Sequence, residues 1–251
     1  MVAASRTWIV IPTYNEAENL RALVAAIRAA VAATILVVDD NSPDGTGGLA
    51  DVLAASVPDV HVLHRPAKAG LAAAYTAGFQ RALVEGADYV LEMDADFSHD
   101  PSDLPRLLEA AGAGADVVLG SRYVPGGGVE GWSADRQILS RAGGLYARVV
   151  LGSSVRDLTG GFKCFRADAL RVIGIDDLTA DGYAFQVETT FRAERAGLRV
   201  EEVPIVFRER QAGRSKMSPA IAAEAIWRIP RMRLSARRHG APAPAVTALP
   251  H

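Results

Sequence analysis

Short apolar runs alternate with stretches of helical spacing along most of this chain, and that alternation constrains the fold more than any single residue. Trp8 to Ile11 is an apolar run stopped by Pro12, and Glu16 to Val31 then carries Leu20, Leu23, Val24, Ile27 and Val31 at the spacing of one helical face. The unit repeats as Thr34 to Val38 with Thr46 to Ala55, and again as Val60 to Leu63 with Leu71 to Leu83. Strands over Ala87 to Asp94 and Asp116 to Leu119 follow. Repeated strand-helix-strand units predict an α/β fold, a mostly parallel sheet with helices on both faces.

Three of these strands end in polar groups: Pro12-Thr13-Tyr14-Asn15-Glu16, Asp39-Asp40 and Asp94-Ala95-Asp96. A parallel sheet brings all three to one edge, where open α/β sheets collect their ligands. Side chains alternate along extended backbone, so Asp94 and Asp96 are expected to point the same way and to share a hard divalent cation. An Asp-x-Asp triplet arises by chance in a chain this rich in aspartate; its place after an apolar strand and before Phe97-Ser98-His99-Asp100-Pro101 gives it weight. Taken alone, Asp40 reads equally as a turn cap and Glu16 as a helix start. No Gly-x-Gly-x-x-Gly follows the first strand, and no phosphate loop ending in Gly-Lys-Ser/Thr occurs, which argues against dinucleotide oxidoreductases and P-loop ATPases.

Composition narrows the class. With 251 residues, 49% of them apolar and 22% charged, the chain can bury a sizeable core. Its one cysteine, Cys164, allows no intrachain disulfide and reads as a small buried hydrophobe. No apolar run reaches the roughly 18 to 20 residues of a membrane span, and residues 1 to 8 lack a signal pattern, so a cytoplasmic chain is expected. The net charge of −2 hides an asymmetry: the residues from Arg208 onward carry +7, leaving −9 on residues 1 to 207. A basic tail on an acidic body meets an anion, whether membrane, phosphate or nucleic acid. From Ser218, Ile221, Ala225, Ile229, Met232 and Ala236 keep helical spacing with Arg228, Arg231 and Arg238 towards another side, and Pro230 should kink or split the helix. Such a helix can lie on anionic lipid, or pack on the body with its charges in water.

The runs Ile11 to Leu20, Val38 to Thr46, Met93 to His99, Gly120 to Tyr123, Asp157 to Phe162 and Gly182 to Glu188 together resemble the polyprenol-phosphate (dolichol-phosphate) mannose synthases, inverting glycosyltransferases of family 2 with the GT-A fold. The resemblance covers about residues 8 to 217. It implies transfer of mannose from GDP-mannose to polyprenyl phosphate, giving a β-mannosyl phosphate lipid and GDP. It places the donor against Pro12, Tyr14, Glu16, Val38 and Asp40, and the diphosphate at Asp94, Ala95 and Asp96, whose carboxylates hold Mg²⁺ or Mn²⁺. Arg122, Arg210 and Lys216 match positions near the phosphates, and Arg136 and Ser140, with Arg122, match acceptor-phosphate contacts. Two departures stand out. Asn41 replaces a frequent Gly, which left-handed backbone tolerates; Gly161 and Lys163 replace a frequent Ser and Arg, which leaves the Thr159 loop open.

The chemistry agrees with the resemblance from its own side. Breaking a sugar-diphosphate bond leaves negative charge that a carboxylate-held divalent ion neutralises. A phosphate monoester is already anionic near neutral pH, so cationic positioning matters more than a base, and Arg suits it better than Lys. On this reading Asp94, Asp96 and Arg122 are the catalytic set, while Asp181 and Glu188 are acidic candidates for a supporting role. The expected organisation is a catalytic domain over 1–217, a basic amphipathic interfacial helix over 218–240 and a disordered tail over 241–251. The partners expected are GDP-mannose, polyprenyl phosphate and an anionic membrane surface, with an integral-membrane partner left open and no nucleic acid. The rivals are a UDP-glucose-dependent polyprenol-phosphate glucosyltransferase and, in another class, a sugar-1-phosphate nucleotidyltransferase. The latter calls for a glycine-rich basic loop after its first strand, which Pro12 to Glu16 is not.

Overall fold

A computed structural model describes residues 6–178, 182–209 and 227–234. The predicted alternation is realised as β1 (Thr7–Thr13), α1 (Ala17–Ala30), β2 (Thr34–Asp39), α2 (Thr46–Ser56), β3 (Val60–His64), α3 (Leu71–Val84) and β4 (Tyr89–Glu92). Then come α4 (Leu104–Gly112), β5 (Val117–Ser121), β6 (Gly128–Glu130), α5 (Ala134–Leu151), β7 (Lys163–Arg166), α6 (Ala167–Ile173), α7 (Gly182–Arg195), β8 (Val200–Pro204) and β9 (Val206–Arg208). Residues 227–234 are helical and are called α8.

Seven strands form one sheet in the order β3-β2-β1-β4-β7-β5-β8, and β6 pairs with β9 beside it. β1 runs parallel to β2 and β4, and β2 parallel to β3, so the three polar strand ends do share one edge. β7 departs from that pattern, running antiparallel between β4 and β5. Its register sets Lys163 opposite Glu92.

Alternation along β1 distributes the core to both faces. Ile9 and Ile11 join Leu20, Leu23 and Ile27 of α1 in one cluster, while Trp8 and Val10 join Tyr75 and Phe79 of α3 in the other. Each fully buried aliphatic side chain of α1 is worth about 1.5 to 3 kcal/mol. Helix α3 lies close on the sheet because Gly78 carries no Cβ: one added there meets the Val10 side chain.

One expectation is corrected here. β4 stops at Glu92 instead of reaching Asp94, so the two aspartates lie on a turn beyond the strand and strand alternation does not orient them. The turn bends through Phe97, whose φ of 59° is left-handed, a costly conformation for a bulky residue. At the other end of the chain, the apolar stripe expected on the tail is turned inward where it is described. Ile229 is buried in the core and Met232 packs against it, while Arg233 Nη1 donates to the Val150 carbonyl at the end of α5. Helix runs through Pro230 across 227–234. The rest of the segment from Ser218, and the tail over 241–251, lie outside the described residues.

Candidate functional site

The edge where β1, β2 and β4 end opens into a cavity of about 230 Å³. Pro12 reaches it from the end of β1, Tyr14 and Glu16 from the turn after that strand, Asp40 from the end of β2, and Asp94, Ala95 and Asp96 from the turn after β4. Arg122 and Arg136 close it from the far side of the sheet. Nine of the residues singled out from sequence thus meet in one space. Val38 does not: its side chain is fully buried in the core, and only its carbonyl reaches towards the edge, accepting from Thr13 Oγ1 at 3.4 Å. Ser140 also stays outside the lining, its Oγ accepting from the Tyr123 hydroxyl at 2.7 Å. Arg210, Lys216 and Asp181 lie outside the described residues, and Glu188 is held by Arg192 at 2.6 Å, away from the cavity.

The end of β2 separates the jobs of its two aspartates. Asp39 is structural, accepting from Thr13 Oγ1 and from the backbone N–H and hydroxyl of Ser42. Asp40 lines the cavity, and the chain leaves it through the left-handed Asn41, at φ 57°, a region Asn tolerates. Arg65 Nη1 donates to Asp40 at 2.6 Å in a mostly buried pair. Lys68 lies 3.9 Å over the Tyr14 ring, so a cation faces the same cavity wall. Lys68 carried no signal in the sequence: it sits in a loop, and its neighbour Gly70 is needed at φ 94° before α3.

After β4 the turn is stiffened by its own hydrogen bonds. Asp96 Oδ1 accepts from Ser98 N at 3.0 Å and from Ser98 Oγ at 2.5 Å. Asp94 Oδ1 accepts from the Tyr75 hydroxyl at 3.3 Å, and the Asp94 N–H donates to His99 Nδ1 at 3.3 Å. Burial, and then the Asp94 charge, push the Tyr75 hydroxyl well above its ordinary pKa, so it stays a donor. Among the described residues no group of three or more His, Cys, Asp or Glu gathers to hold a metal. Two carboxylates fit an ion that takes its remaining ligands from substrate phosphate and water, as Mg²⁺ does.

Beneath this turn lies a charge pair the sequence did not reveal. Lys163 and Glu92 are fully buried, with Nζ 3.5 Å from Oε1, and Lys163 also donates to the Gln186 carbonyl, Gln186 Oε1 and Thr189 Oγ1. Burial pushes the Glu92 carboxyl up to about 7 against the pull of Lys163, and pushes the Lys163 ammonium down. Gln186 Nε2 donates to Glu92 Oε2 at 3.3 Å, and this same side chain lines the cavity. Gly161, where a Ser is common in the family resembled, faces Gln186: a Cβ added there comes within 3.3 Å of Nε2.

On the opposite wall Arg122 is immobilised. Its Nε and Nη2 donate to the two carboxylate oxygens of Asp157 at 2.7 and 2.6 Å, and Nη2 also donates to Thr159 Oγ1 at 2.8 Å. Tyr123, Trp132 and Phe207 surround it with ring centroids 5.2 to 5.7 Å from Cζ. Arg136 lies over the Trp132 ring at 4.2 Å and pairs with Glu209 at 2.8 Å. Solvated surface charge describes neither arginine.

With this geometry in place, similarity to known proteins becomes informative. Residues 8–174 match the family model described as Glycosyl transferase family 2. The undecaprenyl-phosphate mannosyltransferase of Micrococcus luteus is 51% identical over 94% of this chain and 97% of its own length. The polyprenol monophosphomannose synthase of Mycolicibacterium smegmatis is 50% identical over 89% of this chain and 85% of its own. Among solved structures, glucosyl-3-phosphoglycerate synthase from Mycobacterium tuberculosis, crystallised with Mn²⁺ and UDP-glucose, superposes with a TM-score of 0.64 at 20% identity, covering 96% of this chain and 82% of that one. That likeness bears on the fold, which is GT-A. Matched over two thirds of its length by the model and at half identity by near-full-length relatives, the chain belongs to glycosyl transferase family 2.

Proposed function

We propose that this enzyme transfers mannose from GDP-mannose to a polyprenyl phosphate, giving a β-mannosyl phosphoryl lipid and GDP. The observation that carries the reading is the meeting, in one cavity, of the Asp94-Ala95-Asp96 turn with two arginines on the opposite wall. The names of the M. luteus and M. smegmatis relatives support the choice of mannose and of a polyprenyl phosphate acceptor.

The nucleotide lies against Pro12, Tyr14, Glu16 and Asp40, with Val38 contributing only through the strand end it builds. Asp94 and Asp96 face the diphosphate, where their carboxylates would hold Mg²⁺ or Mn²⁺, an ion that would supply positive charge against the departing diphosphate. Arg122, fixed by Asp157, and Arg136, braced on Trp132, orient the acceptor phosphate, and Ser140 supports them through Tyr123. Arg210 and Lys216 are proposed to approach the phosphates from beyond the described residues. An acceptor oxygen bonds to the anomeric carbon as the bond from that carbon to the diphosphate oxygen breaks, which inverts the configuration. With a second pKa of about 6 the acceptor is mostly dianionic at neutral pH, so no side chain has to remove a proton.

Among the described residues no helix is long and apolar enough to cross a membrane. The acceptor is a lipid, and we place the enzyme peripherally on the cytoplasmic face, with an integral-membrane partner compatible with this position. Titrating GDP, UDP, GDP-mannose and UDP-glucose with and without Mg²⁺ tests the donor assignment. Mg²⁺-dependent preference for the guanine nucleotides is expected, and preference for UDP-glucose would transfer the assignment to a glucosyltransferase.

A further inference from the structure

The order of the strands sets the order in which donor and acceptor lie along the cavity. β2 and β1 deliver Asp40 and Tyr14, β4 leads to Asp94 and Asp96, and β5 leads to Arg122. Between β4 and β5 stands β7. Because it runs antiparallel to both, its first residue, Lys163, lies at this edge, opposite Glu92 and Leu119. Gly160 and Gly161, just before it, line the cavity. With the nucleotide at β2 and β1, the diphosphate at β4 and the acceptor phosphate at β5, the group passed between the last two belongs at β7. Gln186, on α7, lines the cavity at that point: a Cβ added to Gly161 would stand 3.3 Å from its Nε2.

The Gln186 amide is held in one sense. Lys163 Nζ, which can only donate, is 2.5 Å from Oε1, so the amide oxygen faces the lysine and Nε2 faces Glu92, donating to its Oε2 at 3.3 Å. Lys163 spends its other hydrogens on the Gln186 carbonyl at 2.9 Å and Thr189 Oγ1 at 3.0 Å. An amide nitrogen carries two hydrogens, and among the described residues Nε2 donates to Glu92 alone. One hydrogen is thus unspent on a side chain only 3% exposed, and the cavity is the side from which an acceptor can arrive. Gly161 has no left-handed φ, so its conformation does not call for glycine; the missing side chain keeps the approach to Nε2 open.

We propose that Gln186 is a specificity-determining residue of the transfer: its Nε2 donates the remaining hydrogen to a hydroxyl of the donor hexose, which lies over Gly160 and Gly161, while the buried Lys163–Glu92 pair holds the amide in that sense. The contact rests on the proposed reaction, which supplies the order nucleotide, diphosphate, hexose, acceptor. A neutral amide suits a hydroxyl, whereas the anionic groups on either side are met by cations. A buried group placed to bond a hydroxyl rejects an analogue that lacks it, since the unmatched donor is then left in a site closed to water. The same arrangement gives the Lys163–Glu92 pair a task in the site, that of fixing which end of the amide faces the sugar.

The test compares the full-length wild type with Gln186→Met, with Mg²⁺ and saturating polyprenyl phosphate, on GDP-mannose and on analogues that each lack one hexose hydroxyl. Met keeps the length of Gln and removes its amide. Wild type should use one analogue roughly 10-fold less efficiently in kcat/KM than GDP-mannose, the scale of one buried hydrogen bond left unmade. Gln186→Met should fall by a similar factor on GDP-mannose and no longer distinguish that analogue, while its Kd for GDP, which has no hexose, holds. Gly161→Val leaves the amide and its lysine in place but fills the approach; it should show the same pattern, and it carries the test should Gln186→Met fail to fold. Equal discrimination by wild type and variant overturns the proposal, as does unchanged kcat/KM in the variants. A matching loss of GDP affinity also overturns it, by making Gln186 a support of the diphosphate turn. Failure of the proposed reaction looks different, since wild type would then transfer no mannose from GDP-mannose. Should it transfer glucose from UDP-glucose instead, the same comparison on UDP-glucose, its deoxy analogues and UDP still decides the contact.

Discussion

Asp157 holds Arg122 by both carboxylate oxygens, at 2.7 and 2.6 Å, and takes its backbone N–H at 2.9 Å as well. The pair is almost fully buried, so the arginine reaches the cavity with its orientation already fixed. Asp157→Asn keeps the shape of the site and removes the charge. We expect turnover to fall about 100-fold, the scale of a misplaced catalytic group, and stability to drop by about 3 to 5 kcal/mol because a charge is left buried. Kinetics of the purified variant beside its thermal melt check both.

The same pair gives a pH dependence of stability. Burial alone would raise the Asp157 carboxyl, but the Arg122 guanidinium and the hydrogen bonds around it hold it below its ordinary value. A lowered folded-state pKa stabilises the fold fully above the unfolded value of about 3.9, and that contribution fades as pH falls through the folded one. Wild type should therefore lose stability below about pH 4 more steeply than Asp157→Asn. Parallel denaturant titrations across that range measure the difference in slope.

Lys163 and Glu92 make a second prediction. Lys163→Met leaves Glu92 buried without its counter-charge and should cost about 3 to 5 kcal/mol. Adding Glu92→Met should recover most of the loss, since well-packed apolar pairs replace buried ion pairs with little penalty. A double-mutant cycle in denaturant reads the coupling, and additive losses would mean that the two groups stand independently.

The two substrates should separate at Arg136. Arg136→Ala removes a charge-assisted contact worth about 1.5 to 3 kcal/mol, so the apparent KM for polyprenyl phosphate should rise roughly 10- to 100-fold while that for GDP-mannose holds. Loss of donor affinity with acceptor affinity intact would assign this wall to the donor.

Most of the sheet was legible because it is written in local patterns. The apolar runs and helical spacings of residues 8 to 84 placed β1 to α3 within a few residues of where they lie. The shared edge followed from parallel pairing, and the motifs at that edge named most of the cavity lining. What stayed hidden depends on contacts between distant segments. Nothing local to Lys163 announces that β7 will insert antiparallel beside β4 and bury the lysine against Glu92. Lys68, Trp132 and Phe207 come to the site on loops and a short edge strand whose course no periodicity encodes. Val38 shows the converse: it lies within a motif of the site yet points into the core, since alternation along β2 turns its side chain to the helix-covered face. The tail stripe was visible as a pattern, but pattern does not say whether an apolar face meets lipid or protein, and Ile229 and Met232 meet protein.

The metal-assisted transfer itself is tested most directly by following mannose from GDP-mannose into a polyprenyl phosphate lipid with wild type and Asp96→Asn, each with Mg²⁺ and in chelator. The account predicts one GDP released per mannosyl lipid formed by wild type, dependent on the added ion. It predicts little product in chelator, and little from Asp96→Asn although that protein remains folded. Full activity in chelator, wild-type rates from Asp96→Asn, or transfer from UDP-glucose with none from GDP-mannose would contradict it.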